Sequence, residues 1–145
     1  MEIVELNALT ERQLADVRAL MVELDPEIPV ADAKILATVN APSSHFFAAV
    51  DPERGILGCA SLCVFYSPTG TKASIEDVVV SSSARGAHLG RRLLEHLLEY
   101  ARTQLGDVDI HLTSRPQRVA ANALYQSLGF ERRETNAYVM KIRTQ

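Results

Sequence analysis

The longest regular pattern in the chain is helical. Leu89, Leu93, Leu94, Leu97, Leu98, Ala101 and Leu105 recur three and four residues apart, predicting a helix with one broad apolar face, closed by Gly106. Burying each leucine is worth roughly 1.5 to 3 kcal/mol, so this helix should be firmly anchored. Leu14, Val17, Leu20, Met21 and Leu24 repeat the period over about Glu11 to Leu24, behind a Thr10-x-x-Gln13 capping box. Asp25-Pro26-Glu27-Ile28-Pro29 stops that helix, and a short one follows over about Ala31 to Val39. Strand-like stretches are Met1 to Leu9, His45 to Val50, Ile56 to Tyr66 and Thr71 to Val80. Turns at Asp51 to Gly55 and Ser67 to Gly70 make the last three an antiparallel meander. Val108 to Thr113 reads as a strand parallel to the one before it, with the leucine-rich helix as crossover. Ser114 and Gln117 form a second capping box around Pro116. On the helix that follows, Val119, Ala120, Ala123, Leu124 and Leu128 share the buried side, while Arg118, Asn122 and Tyr125 share the polar one. Phe130 to Arg133 and Tyr138 to Arg143 read as closing strands.

A chain of 145 residues is one ordinary domain, and 47% hydrophobic with 23% charged residues is a globular composition. No apolar run reaches membrane-spanning length, and the acidic start Met1-Glu2-Ile3-Val4-Glu5 is unlike a signal peptide, so the cytoplasm is the expected location. Cys59 and Cys63, four apart on one strand, would lie about 13 Å apart, out of disulfide reach, and read as small buried hydrophobes. His45, His88, His96 and His111 show no metal-ligand spacing, so no metal is expected. A net charge of −3 disfavours a nucleic-acid partner. Residues 1–80 carry 12 acidic and 5 basic side chains, whereas residues 81–145 carry 6 and 10, a split that suits an anionic cofactor on the second half and a cationic amine on the first.

Between the strand Ile75 to Val80 and the leucine-rich helix runs Ser81-Ser82-Ser83, then Arg85-Gly86-Ala87-His88-Leu89-Gly90. Strand, small-residue loop and helix make an anion seat, because the first N–H groups of a helix lack intrahelical partners and carry partial positive charge. Arg85 with Arg91 or Arg92 would add cationic side chains. The loop lacks the G-x-x-x-x-G-K-[ST] of nucleotide triphosphatases, and no dinucleotide-binding G-x-G-x-x-G follows an early strand.

This loop resembles the acetyl-CoA pyrophosphate loop of the GNAT superfamily of N-acetyltransferases, [QR]-x-x-G-x-[GA] opening a long helix. Arg85 fills its first place and Gly90 its last, while His88 stands where the middle glycine usually is. The run Arg115 to Phe130 also resembles the family's ending, with Asn122, Tyr125 and a closing Leu128-Gly129-Phe130. Ile75 to Val80 and its spacing to Arg85 further look like glucosamine-phosphate N-acetyltransferases, although the later helix does not favour that subfamily. The resemblance implies an α/β (α+β) GNAT fold over residues 1–145 as a single domain. Its sheet would be central, mixed, mostly antiparallel and twisted, with six to seven strands, about four helices and a V-shaped splay between the fourth and fifth strands. The segment Leu24 to Pro29 is then a candidate acceptor loop.

The implied activity is transfer of an acetyl group from acetyl-CoA to a primary amine by direct attack in a ternary complex. Backbone groups of Val78, Val79 and Val80 would hold the pantetheine arm and the thioester oxygen. Arg85, Gly86, Ala87, His88, Leu89, Gly90 and Arg91 would take the diphosphate, and Asn122 would bond the arm. Tyr125 would protonate the thiolate as general acid. Glu76, two residues before Val78 and expected on its face, is the candidate base, with Asp77 expected on the opposite face. The alternatives are a noncatalytic acyl-CoA-binding or sensing domain, and a protein-interaction module using Leu24 to Pro29. Acceptors range over aminosugars, polyamines, drug-like amines and protein amines, and the family's habit of dimerising makes a homodimer an open alternative to a monomer.

Overall fold

Thr10 accepts the Gln13 N–H at 3.1 Å and returns its own N–H to Gln13 Oε1 at 2.9 Å, so the expected capping box opens the first helix. The computed structural model describes residues 1–144. In order these form β1 (Glu2–Leu6), α1 (Glu11–Leu24), α2 (Asp32–Asn40), β2 (Ser44–Asp51), β3 (Gly55–Ser67), β4 (Gly70–Val80), a 3-10 turn (Ser82–Ala84), α3 (Leu89–Gln104), β5 (Asp109–His111) and α4 (Val119–Ser127). Packing separates a unit over Met1–Thr113 from a second that begins at Ser114.

In the first unit the strands lie in the order β1-β2-β3-β4-β5, antiparallel except for the parallel pair β4 and β5. One face of the sheet carries α1 and α2 over a core of Val17, Leu20, Ile35, Val39, Phe46, Ala48, Ile56, Cys59 and Val79. The other carries α3, whose Leu89, Leu93, Leu94 and Leu97 are all 2% exposed or less. Gly58 makes that approach possible, since a Cβ there would stand 3.1 Å from both Leu93 Cδ1 and the Val79 carbonyl oxygen. Both cysteines are free.

The parallel ladder is short. Lys72, Ala73 and Ser74 pair with Asp109, Ile110 and His111, and there β5 ends while β4 continues to Val80. The end of β4 therefore has no strand beside it on that side among the described residues.

In the second unit the Ser114–Gln117 box does not form. Arg118 N–H bonds the Arg115 carbonyl at 3.1 Å and Val119 N–H that of Gln117 at 2.9 Å, a turn around Pro116 that delays the helix to Val119. Ser114 Oγ is left buried without a hydrogen-bond partner among the described residues. The division of α4 also differs from the expected one, because Tyr125 is buried at 7% exposure while Val119 is 73% exposed. The five-stranded sheet falls short of six to seven strands: among the described residues no strand forms over 130–133 or 138–143. A strand requires ladder partners for its backbone groups, and these segments find none. Among the described residues no helix is long and apolar enough to cross a membrane.

Candidate active site

The end of β4 departs from regular alternation. Ser61 pairs with Glu76 and Cys59 with Val79, so three steps along β4 match two along β3. The extra residue is a bulge at Asp77, whose φ of 54° lies in the left-handed region that aspartate tolerates better than most residues. Cys59 and Ser61 share a face of β3, so Glu76 and Val79 share the face that bears α1 and α2. Val80 turns the other way, its Cγ2 lying 3.4 and 3.7 Å from the Cβ positions of Gly58 and Gly90, and Val78, two residues before it, shares its face. The expectation that Glu76 shares a face with Val78 is therefore corrected, because the bulge inverts the parity between them. Strict alternation no longer separates Glu76 from Asp77 either.

Ser74 donates its hydroxyl to Glu76 Oε1 at 2.6 Å. Partial burial pushes the Asp77 carboxyl above its usual range, and the Glu76 charge adds to the rise, although Asp77 keeps solvent access. Beneath them burial pushes the Cys59 thiol up to about 12, with the Asp77 charge as a smaller cause, so Cys59 is an inert core thiol.

Ser81 N–H donates to the Leu57 carbonyl at 2.7 Å, which makes Ser81 and Leu57 a hydrogen-bonded pair. Two-residue alternation then turns the N–H and C=O of Val80 away from β3, toward the side where β5 has already ended. The chain next makes its 3-10 turn, buries Ala84 and runs extended through Arg85. Gly86 at φ 93° and His88 at φ 55° carry it into α3. His88 is the N-cap and gives no side-chain cap bond, so it occupies a glycine-favouring conformation at a cost.

Among the described residues the N–H groups of Ala87, His88, Leu89 and Gly90 meet no protein acceptor, while Arg92 N–H bonds the His88 carbonyl at 3.0 Å. Nothing lies within 4 Å of a Cβ added at Gly86, so the turn is open to a ligand. These features fit an anionic diphosphate. Arg85 is exposed beside them, and Arg91 pairs with Glu95 of its own helix at 2.9 Å.

On α4, Asn122 Nδ2 donates to the Arg115 carbonyl at 3.1 Å. The helix closes with Phe130 N–H on the Tyr125 carbonyl at 3.0 Å and Gly129 N–H on that of Gln126 at 3.1 Å, with Gly129 at φ 102°. That is a Schellman closure, and the residues it joins also touch, with the Tyr125 and Phe130 rings 6.2 Å apart edge to face. The closing Leu128-Gly129-Phe130 thereby fixes the Tyr125 ring. Its hydroxyl has no hydrogen-bond partner among the described residues. Also among the described residues, no group of three or more His, Cys, Asp or Glu could hold a metal ion.

Sequence reasoning missed the bulge, the Ser74 contact and Glu23, whose Oε1 accepts the Ser82 N–H at 3.0 Å. Two acids following an apolar residue on a strand were the only available sign of the first.

Comparison with known proteins gives a match to the model of the acetyltransferase (GNAT) family over residues 9–130. The N-alpha-acetyltransferase RimI of Mycobacterium tuberculosis is 33% identical over 135 residues, covering 90% of this chain and 80% of the relative. Among solved structures, a Trypanosoma brucei acetyltransferase superposes with a TM-score of 0.74 at 27% identity, covering 97% of this chain and 99% of the other. An aminoglycoside N-acetyltransferase in complex with CoA gives 0.74 at 21% identity, covering 97% and 93%.

Proposed function

This chain belongs to the GNAT acetyltransferase family, and from that premise we propose that it moves an acetyl group from acetyl-CoA to the α-amine of a peptide or protein, by direct attack in a ternary complex. The observation that carries the donor half is the open edge of β4 leading into an amide-lined turn. The α-amine as acceptor rests on the likeness to an N-alpha-acetyltransferase. We read residues 1–145 as one catalytic domain, supported by a family match that runs across the boundary between the two packed units.

Acetyl-CoA supplies the acetyl group activated as a thioester. The amides and cationic side chains from Arg85 to Arg91 hold its diphosphate, and backbone groups along Val78 to Val80, those of Val80 turned outward, orient the arm and the thioester oxygen with Asn122. Asp77, with Glu76 beside it, takes the proton that makes the acceptor amine a nucleophile. Asp77, with its raised carboxyl, is the better proton acceptor, and Glu76 supplies the charge that helps to raise it. As the amine nitrogen bonds to the acetyl carbon and the carbon–sulfur bond breaks, Tyr125 gives its phenolic proton to the sulfur.

A panel of peptides with free α-amines, lysine-side-chain amines and small amines, assayed with acetyl-CoA by free-thiol release, tests this reading. Turnover of an α-amine peptide is expected. Turnover only of small amines would replace the acceptor, and coenzyme A binding without any turnover would favour a sensing domain.

A further inference from the structure

Glu23 sits in the last turn of α1, where a negative charge opposes the helix dipole, and that turn holds no basic residue. The stability of α1 does not explain it. Its partner lies 59 residues away, where Glu23 Oε1 accepts the Ser82 N–H at 3.0 Å. Hydrogen bonds from the Ser82 amide, then from the Ser82 and Ser81 hydroxyls, hold the Glu23 carboxyl below its usual range, with Arg85 as a smaller cause.

The turn from β4 into α3 has few other anchors. Ser81 N–H bonds the Leu57 carbonyl, Ala84 is buried, and beyond it the amides of Ala87 to Gly90 meet no acceptor among the described residues. The element on which Glu23 is mounted is itself held rigidly. Asp16 Oδ2 accepts the Ile56 N–H at 3.0 Å, Arg12 Nη2 donates to the Glu53 carbonyl at 2.8 Å, and Val17 and Leu20 are buried. Glu23 also immediately precedes Leu24, the last residue of α1 and the first of the candidate acceptor segment. One carboxylate thus ties the segment proposed to face the acceptor to the loop proposed to hold the donor.

We propose that Glu23 is a positioning residue for the donor loop, fixing the Ser82 amide so that the turn ahead of α3 is preset for the diphosphate of coenzyme A. This rests on the reading that residues 85–91 hold that diphosphate.

Calorimetric titration of coenzyme A into the wild type, Glu23→Ala, Glu23→Gln and Arg85→Ala separates the two ideas. Glu23→Ala should weaken binding about threefold to tenfold, the net value of one ordinary hydrogen bond. Glu23→Gln, which keeps an accepting Oε1, should return it to within about twofold of wild type. Without ligand, Glu23→Ala should melt within about 2 °C of wild type, because α1 loses an unfavourable end charge. Exchange of the Ser82 amide hydrogen should speed up in the alanine variant and not in the glutamine one. Weakened binding by Arg85→Ala alongside unchanged binding by Glu23→Ala overturns the positioning role and leaves the donor loop standing. A glutamine variant as impaired as the alanine one also overturns it. Absence of coenzyme A binding by the wild type overturns the donor-loop reading and this inference with it.

Discussion

The Ser74 hydroxyl bonds the Glu76 carboxylate at 2.6 Å, and Ser74 is also the last residue of β4 to pair with β5. The point where the strands part is thus the point from which the first of two adjacent acids is oriented. The bulge that follows keeps the second acid, Asp77, within electrostatic reach of the first.

With Asp77 as base, Asp77→Asn should lower turnover by about 10² or more and remove the acidic limb of the pH–rate profile. Glu76→Gln should keep turnover but move that limb to lower pH, since the charge that helps to raise Asp77 is gone. If Glu76→Gln instead abolishes turnover while Asp77→Asn spares it, the roles are reversed.

Asp77 also gives a pH signature in stability. A carboxyl whose folded pKa is raised costs nothing below its unfolded value near 3.8 and becomes a penalty as pH rises through the folded value. Asparagine tolerates the left-handed backbone there, so Asp77→Asn should raise the melting temperature by about 1 to 3 °C at pH 7. The gain should shrink as pH falls toward 3.8, and thermal melts across that range check it. A gain that does not vary with pH would mean that ionisation of Asp77 is not its source.

Tyr125→Phe removes a hydroxyl that bonds nothing among the described residues and keeps the ring that meets Phe130. The variant should fold and bind coenzyme A as wild type does, while turnover drops by about 10² to 10⁴. Calorimetry and free-thiol release measure the two sides, and unchanged turnover would remove the assigned acid.

His88→Gly should relieve the left-handed backbone without losing a cap bond. Strain relief of about 1 to 2 kcal/mol, offset in part by the greater freedom of unfolded glycine, leaves a net gain of about 0.5 to 1 kcal/mol. Denaturant unfolding gives the number. A loss of stability would point to a contribution from the imidazole that outweighs the strain.

Much of this architecture could be read from residue order because its signals are local. The Thr10–Gln13 box and the apolar period put α1 at Glu11–Leu24, as found, and β4 was placed to within one residue. The anion-seat grammar at Arg85 to Gly90 likewise sits at a strand-to-helix turn. What escaped notice depended on distance or on a backbone choice. The run Glu76-Asp77-Val78-Val79-Val80 reads as an uninterrupted strand, and nothing in an aspartate announces a positive φ. The bond from Glu23 to Ser82 joins separate elements and leaves no periodic trace. Pro116 suits a first helical turn as well as the turn observed, so the cap at Ser114 was ambiguous. The two closing strands failed for another reason, since strand propensity does not supply a ladder partner.

The outer rim of β4 beyond Ser74 is a row of backbone groups that no strand among the described residues covers, and such a rim invites zipping onto a neighbouring molecule. Here it is only six residues long, kinked at its centre, and bears two anionic side chains at the kink. Kinks and charges of that kind deter intermolecular sheet growth, so the acids proposed to accept the proton would also guard against self-aggregation. Neutralising both together should then affect solubility as well as rate.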